Sequence, residues 1–326
     1  MRYAFEERWH LGGLLVDRLL YWAVTKIRAR ALKKGRFQHL FVPMDDTVGM
    51  RVFATGEYES THVAAIQTLI ESSHQLLGFK INTDAVCVDV GANIGLYSIV
   101  FSGLFRHVLA LEANPVTAKV LEANIAVAGL DNVSCICRGV SASSGEVLLH
   151  VPNDGNFGWS TIEPNQSASN SNQLAIQTAT LDDILASCEF AGEPIALIKI
   201  DVEGHELSVL RGSTRTLQRW NPIVVFEMID SSLGCECMAF LRGLGYASFY
   251  RFRRNLRGAA ASWRETAENL VRGLPVRLEP LDNPGSGHET LVLATKDPAR
   301  ATRSSGERRS SGRGDVPLRA LNDRLC

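Results

Sequence analysis

The sequence predicts an α/β domain built on a doubly wound sheet of seven strands, mostly parallel, with an antiparallel last strand. Two observations lead to this prediction. Short continuous apolar runs alternate with segments of helical period, which is typical of a parallel sheet that helices cover on both faces. The chain has 326 residues, of which 45% are hydrophobic, so it is long and apolar enough to bury one large core.

The elements predicted along the chain follow this alternation. A short strand is predicted at 50–53 and a helix at 61–77. Strands of the main sheet are predicted at 86–90, 107–111, 133–137, 196–200, 223–226, 248–252 and 289–295. Helices are predicted at 96–104, 116–127, 180–187 and 206–219, and a side hairpin at 146–151 and 177–179.

Composition divides the chain into three parts. Residues 1–45 carry leucines at helical spacing and then a basic run, which favours an amphipathic helical extension packed on the domain. The alternative is peripheral contact of that helix with a membrane surface. Residues 46–298 form the main domain, with a long polar loop at 153–172. Residues 299–326 are dominated by Ser, Gly and Arg, and we expect this tail to be disordered.

The net charge, the length of the apolar runs and the spacing of the cysteines argue against a nucleic-acid partner, a membrane-spanning helix and a zinc site. The formal net charge of −1 gives no overall attraction for nucleic acid, and no nucleic-acid partner is expected. No run reaches the ~18 consecutive apolar residues that a spanning helix needs. The seven cysteines include the pairs Cys135/Cys137 and Cys235/Cys237, which lack the spacing of ordinary zinc sites. We therefore expect a cytoplasmic protein with reduced cysteines and no metal.

A glycine-bounded turn, residues 91–95, follows the first strand of the main sheet and leads into a helix. Such a corner is typical of a nucleoside or dinucleotide cradle, although it also occurs as a plain structural turn. We expect Gly91 and Gly95 to let the backbone approach a ligand closely, with Ala92 and Asn93 between them. The spacing of the two glycines favours S-adenosylmethionine over NAD, with Asp89 near the ammonium group of the donor.

A carboxylate stands at the end of the second strand. Glu112 lies about 20 residues after the glycine turn, where an acid can accept hydrogen bonds from both ribose hydroxyls. It is therefore predicted to bind the cofactor.

Three polar residues follow the predicted strand at 196–200. Asp201, Glu203 and His205 are expected at the carboxyl edge of the sheet, in an arrangement suited to proton abstraction. Lys199 interrupts an otherwise apolar strand and should have an acidic partner. Glu227 ends the next strand, and a divalent ion held by Asp201 and Glu227 is an alternative way to acidify a hydroxyl.

Five motifs, in this order and spacing, resemble the FkbM family of methyltransferases. They are DVGANIGLYS at 89–98, EANP at 112–115, TLDD at 180–183, IKIDVEGHE at 198–206 with VLRG at 209–212, and PIVVFE at 222–227. The resemblance covers roughly residues 50–295. It implies a Rossmann-like class I methyltransferase fold, S-adenosyl-L-methionine as cofactor, and O-methylation of a hydroxyl on a sugar, glycolipid or secondary metabolite.

The resemblance also assigns roles to residues. It places Asp89, Gly91, Asn93, Gly95 and Glu112 in the donor site, and Asp201 with Glu203 at the signature strand end. A sulfonium already activates its methyl group, so alignment of the acceptor oxygen is the main requirement, yet an aliphatic hydroxyl still needs a base. Asp201 is the first choice for that base, followed by His205 or Glu203.

Other classes of function stay open at this point. They are an NAD-dependent oxidoreductase of the same topology and a non-catalytic cofactor-binding protein. A base-modifying nucleic-acid methyltransferase is disfavoured, because its Asn/Asp-Pro-Pro-aromatic motif is absent after the fourth strand. The acceptor is expected to be a small molecule or glycan that contacts the segments 153–172 and 251–288. The sequence does not indicate the oligomeric state.

Overall fold

The computed structural model describes residues 40–42, 47–55, 60–153, 157–163, 171–228, 230–254, 276–282 and 291–296. The predicted helical extension lies outside these residues except at 40–42, and the predicted disordered tail lies wholly outside them. None of the described helices is both long and apolar enough to cross a membrane.

In chain order the strands are β1 (Val86–Val90), β2 (His107–Glu112), β3 (Val133–Cys137), β4 (Gly139–Val140), β5 (Gly145–Pro152), β6 (Ser171–Ala179), β7 (Ile195–Ile200), β8 (Ile223–Glu227), β9 (Ser248–Arg254), β10 (Val276–Pro280) and β11 (Leu291–Thr295). The helices are α1 (Thr47–Thr55), α2 (Ser60–Glu71), α3 (Ser73–Leu77), α4 (Leu96–Ser102), α5 (Pro115–Val127), α6 (Leu181–Ser187), α7 (Glu206–Gly212), α8 (Thr214–Trp220) and α9 (Ser231–Gly243).

The main sheet has the strand order β10-β9-β11-β8-β7-β1-β2-β3. Strands β3, β2, β1, β7 and β8 are parallel, and β11 pairs antiparallel with both β8 and β9. The predicted mostly parallel, Rossmann-like sheet with an antiparallel last strand is therefore confirmed. Chain order reverses between β1 and β7, and open α/β sheets bind ligands outside the carboxyl ends of the strands at such a switch point.

The prediction of seven strands was too low by one, because β10 adds an eighth strand at the edge beyond β9. This strand is five residues long and ends at Pro280. A short segment that pairs on one side only and contains proline has a weak strand signal in the sequence. The extra strand lies far from β1 and β7 in the sheet order, so it leaves the switch point unchanged.

The segment predicted as a strand at 50–53 is instead part of helix α1. Val48 and Val52 lie one helical turn apart, and both pack in a small cluster with Ile94 and Leu96. This four-residue spacing is a helical signal, but it falls in a segment too short to show a clear period.

Other helix predictions were right in position but wrong in continuity. The helix predicted at 61–77 is divided into α2 and α3, and the one predicted at 206–219 is divided into α7 and α8. Helix α9 had not been predicted; the Asp230 side chain caps its start by accepting a hydrogen bond from the Ser232 amide. Helix α5 begins with Pro115, and the Asn114 side chain caps it in the same way.

Two hydrophobic clusters cover opposite faces of the main sheet. Val88 and Ile198 belong to one cluster, whereas Cys87 and Leu197 belong to the other. Alternate side chains of a strand point to opposite faces, so both faces are buried, as in a doubly wound sheet. In the register of β1 and β7, Asp89 lies directly beside Lys199.

The segment between β3 and α6 forms a second sheet, with the strand order β4-β6-β5. Strands β5 and β6 form the predicted side hairpin, in which all eight residues of β5 pair antiparallel with 171–178 of β6. The loop predicted at 153–172 is shorter in the structure, because β6 begins at Ser171. Its described part, 157–163, starts with a short 3-10 helix at Phe157–Trp159.

Candidate functional site

A pocket opens at the carboxyl ends of the central strands, at the switch point of the main sheet. The main-sheet side of its wall includes Gly91, Ala92, Asn93, Glu112, Asp201 and Glu227. The small sheet and the loop after β5 supply the opposite wall, with Val140, Leu149, Trp159 and Ile162 among its residues. The pocket therefore lies between the two sheets.

The turn after β1, residues 91–95, is called the donor loop below. Gly91, Asn93 and Gly95 all have positive φ angles, of 75°, 50° and 98°. A Cβ on Gly91 would lie 1.8 Å from the carbonyl oxygen of Asp201, and one on Gly95 would lie 2.6 Å from Cδ1 of Leu121. The Asp201 backbone thus leaves no room for a side chain at position 91, and close approach of the donor loop to a ligand stays a prediction.

Glu112 is held in a fixed orientation at the pocket. Its Oε2 accepts a hydrogen bond from the Asn93 amide at 2.9 Å, and its Oε1 accepts one from the Asn114 amide at 2.8 Å. Burial raises the pKa of Glu112, and the two amide hydrogen bonds oppose that rise. Each carboxylate oxygen keeps a second lone pair, so Glu112 can also accept hydrogen bonds from two ligand hydroxyls.

Asp89 lies beneath the donor loop and not on the pocket wall. Its side chain is fully buried, and Ser98 Oγ donates a hydrogen bond to its Oδ2 at 2.6 Å. Its Oδ1 lies 3.3 Å from Nζ of Lys199. Asp89 thus contacts the ammonium group of Lys199, and its contact with the ammonium group of a donor stays a prediction.

The acids at the ends of β7 and β8 form a cluster around Asp201. The carboxylate oxygens of Asp201, Glu203 and Glu227 lie within 4.8 Å of one another. Nζ of Lys199 lies 3.1 Å from Oδ2 of Asp201. Burial would raise the pKa of Asp201, but the Lys199 charge and a hydrogen bond from Glu227 bring it below its ordinary value. Asp201 is therefore an ionised carboxylate at neutral pH.

These three carboxylates form an all-oxygen set of the kind that a divalent cation such as Mg²⁺ prefers. Lys199 opposes such an ion, because its positive charge already lies 3.1 Å from Asp201. The absence of a metal requirement stays a prediction. The structure adds Glu203 to the pair, Asp201 and Glu227, that sequence had considered for an ion.

His205 lines the pocket, but both of its ring nitrogens have partners within the protein. Nδ1 lies 2.7 Å from Oε1 of Glu163, and Nε2 lies 3.0 Å from Oγ of Ser141. Both nitrogens are therefore engaged within the protein, and the role of His205 as a base stays a prediction. Glu203 has a φ angle of 51°, and its backbone carbonyl accepts a hydrogen bond from Thr161 Oγ1 at 2.7 Å.

Sequence reasoning had missed Ser141, Trp159, Thr161 and Glu163. Ser141 follows a two-residue strand, and the other three lie in the polar loop after β5. Their positions depend on contacts with the main sheet, and polar composition gives no signal for such contacts.

Comparison with known proteins agrees with this geometry. A family profile described as the methyltransferase FkbM domain matches residues 89–248. The chain is similar to hexuronic acid methyltransferase AglP of Haloferax volcanii, with 34% identity over 153 residues. That alignment covers 46% of this chain and 59% of the relative, so the chain spans less than two thirds of that protein.

A second relative aligns over more of its length. The chain is 32% identical over 256 residues to methyltransferase sdnD of Sordaria araneosa, which covers 67% of this chain and 85% of that protein. A solved structure, methyltransferase FkbM from Methylobacillus flagellatus KT, aligns with 82% of this chain and 58% of that chain, at 15% identity and a TM-score of 0.40. The profile match and the length of the second alignment show that this chain belongs to the FkbM family of methyltransferases.

Proposed function

We propose that this protein is an S-adenosylmethionine-dependent O-methyltransferase that uses Asp201 as its general base. The proposal rests on one observation, which is that a single pocket contains two carboxylates with different hydrogen-bonding and charge environments. Glu112 is oriented by two backbone amides, and Asp201 is held ionised by Lys199. The first arrangement suits the binding of a ribose, and the second keeps Asp201 deprotonated and so able to accept a proton.

The donor side of the pocket is formed by Gly91, Ala92, Asn93 and Glu112. Glu112 would accept hydrogen bonds from the ribose hydroxyls, and the donor loop would face the rest of the nucleoside through its backbone. When bound, S-adenosylmethionine supplies a methyl group on a positively charged sulfur. Asp89 supports this side indirectly, because it anchors both Ser98 on α4 and Lys199 beneath the donor loop.

The acceptor side is formed by the ends of β7 and β8. Asp201 would accept the proton of the acceptor hydroxyl, and the hydroxyl oxygen would receive the methyl group that a bound donor would supply. A general base of this kind contributes about 10²–10⁴-fold to the rate. The positive charge of Lys199 favours the ionised form of Asp201, so Asp201 is deprotonated before the reaction.

The proposed acceptor is a hydroxyl of a sugar, glycolipid or secondary metabolite. Similarity to a hexuronic acid methyltransferase supports a sugar. A small-molecule or glycan acceptor, the absence of a nucleic-acid partner, a cytoplasmic location and membrane contact through the N-terminal segment stay predictions.

Calorimetry on the purified chain tests the donor. We expect binding of S-adenosylhomocysteine and none of NAD; the reverse result would make the protein an oxidoreductase of similar topology. Transfer of a radiolabelled methyl group from S-adenosylmethionine to a panel of glycans and hydroxylated metabolites then tests the chemistry. Donor binding without transfer to any member would favour the non-catalytic alternative.

A further inference from the structure

The described loop after β5, residues 157–163, is called the acceptor loop below. It contributes Gly158, Trp159, Ser160 and Ile162 to the pocket wall. The Trp159 side chain is 60% exposed, although the residue lines a pocket that also contains Asp201 and Glu203. A large aromatic side chain left exposed beside a pocket is available for contact with a ligand.

The acceptor loop is fastened to both sheets. On the small sheet, the backbone of Thr161 exchanges two hydrogen bonds with His150 on β5, at 2.8 and 3.1 Å. On the main sheet, Thr161 Oγ1 donates to the carbonyl oxygen of Glu203 at 2.7 Å. The carboxylate of Glu163 contacts His205 at 2.7 Å in the same turn after β7. These contacts tie the loop to the turn that carries the proposed base.

The chemistry of His205 fixes the direction of its hydrogen bonds. An ionised carboxylate only accepts, so Nδ1 of His205 carries the proton that is donated to Glu163. In the neutral ring Nε2 is then an acceptor, and the Ser141 hydroxyl donates to it. Ser141 follows β4 of the small sheet, so the imidazole links two segments of that sheet to α7.

The exposed fractions of the two side chains show that His205 is held more firmly than Glu163. His205 is 6% exposed, whereas the side chain of Glu163 is 46% exposed. The ring is thus set in the main domain, and the glutamate reaches it from the surface of the loop. Loss of this contact would free the loop without opening the core beneath it.

We propose that His205 is a positioning residue that clasps the acceptor loop through Glu163 and so holds Trp159 in the wall of the acceptor pocket. The assignment of this end of the pocket to the acceptor rests on the proposed function. The clasp itself does not, because it concerns the contact between loop and turn. The contacts of the clasp involve neither Gly91 nor Glu112, the proposed donor residues, so the clasp should act on the loop and not on donor affinity.

Hydrogen exchange followed by mass spectrometry on the full chain tests the clasp. In His205→Ala and in Glu163→Ala, amide exchange within 157–163 should accelerate by about tenfold or more, the usual effect of losing a hydrogen bond to a charged group. The double variant should accelerate exchange no further than His205→Ala alone, since the contact with Glu163 is already lost in that variant. Glu146→Gln is the matched control, because Glu146 is an exposed acid on β5 that bonds Gln177 of the same small sheet.

Two further measurements separate positioning from a general loss of structure. His205→Gln keeps a donor and an acceptor on its amide, and it should restore at least part of the protection lost in His205→Ala. Acrylamide quenching of Trp159 should increase in Glu163→Ala; each variant is compared with its own Trp159→Phe counterpart, because the chain has five tryptophans. Affinity for S-adenosylhomocysteine should stay at the wild-type level in Glu163→Ala.

Unchanged exchange within 157–163 in a folded Glu163→Ala protein would overturn the clasp. If His205→Ala lost protection throughout the main sheet, Glu163→Ala would decide alone, because its side chain is half-exposed. The proposed function fails by a different result, the absence of S-adenosylhomocysteine binding to the wild-type chain. Exchange of the loop can be measured in either case.

Discussion

Nζ of Lys199 lies 3.1 Å from Oδ2 of Asp201, which directly follows the last residue of β7. The same ammonium group lies 3.3 Å from Oδ1 of Asp89, the neighbour of Lys199 across the sheet. One buried cation therefore pairs with both Asp89, which is fully buried, and Asp201, which lines the pocket.

Replacement of that cation should have a large effect. Lys199→Met leaves Asp89 as a fully buried carboxylate without a counter-charge, and the loss of one member of a buried ion pair costs roughly 3–5 kcal/mol. Urea unfolding of the variant should show a free energy of unfolding lower by about that amount. Lys80→Met, at an exposed position before β1, is the control and should change it little. Equal stability of the two variants would mean that the ion pair is not formed in solution.

Asp201→Asn tests the base. The change keeps the shape of the side chain, so affinity for S-adenosylhomocysteine should be preserved while kcat falls by ~10²–10⁴. Asp84→Asn, in an exposed turn before β1, is the matched control. Once an acceptor is found, a pH–rate profile adds a second test. With Asp201 as the base, His205→Ala should keep any inflection of the wild-type profile, whereas loss of an inflection at about pH 6–7 would assign the base to His205. Full activity in Asp201→Asn would reject the assignment.

Glu112→Ala should weaken donor binding and leave the fold intact. Each charge-assisted hydrogen bond to a ribose hydroxyl is worth ~1.5–3 kcal/mol, so affinity for S-adenosylhomocysteine should fall by at least about tenfold. Calorimetry on the variant measures this directly, with Glu122→Ala on the exposed side of α5 as the control. Wild-type affinity in folded Glu112→Ala would remove Glu112 from the donor site.

Activity should not depend on a divalent ion. The ammonium group of Lys199 already lies beside Asp201, where a divalent cation would otherwise have its most favourable electrostatic interaction. Dialysis against EDTA should therefore leave methyl transfer unchanged. A loss of activity that Mg²⁺ or Mn²⁺ restores would instead assign the ion to Asp201, Glu203 and Glu227.

Glu206 should make the stability of the fold depend on pH. Burial, opposed by amides of the turn after β7, raises its pKa to about 7, and its Oε2 has no hydrogen-bond partner among the described residues. The folded state holds this proton where the unfolded state has released it, so stability should fall as the pH rises from about 4.5 to about 7.

Glu206→Gln removes that titration. The variant and wild type should differ least near pH 5, and the variant should gain a relative free energy of roughly 2–4 kcal/mol by pH 8. Unfolding by urea across this range measures the difference, with Glu236→Gln on the exposed side of α9 as the control. A constant difference at all pH values would show that Glu206 is already ionised in the fold.

The positions that the sequence predicts best are those of residues at the carboxyl ends of parallel strands. Glu112 and Asp201 follow parallel strands next to a glycine turn, and the topology brings such ends together whatever the details of packing. The partnership of Asp89 with Lys199 depends on the register of β1 against β7, which an apolar pattern does not fix. The contact of Glu163 with His205 joins residues 42 apart through a long polar loop, and no local pattern indicates it.

The position of the small sheet bears on how acceptor preference can diverge. The small sheet follows β3, precedes α6 and supplies part of the pocket wall, whereas Gly91, Asn93 and Glu112 belong to the main sheet and the turn after β1. Substitutions within 139–179 can thus change the wall near Asp201 and leave these three residues as they are. This portion of the chain is a natural unit for recombination between relatives, and a chimaera exchanging it should inherit the acceptor of one parent and the donor affinity of the other.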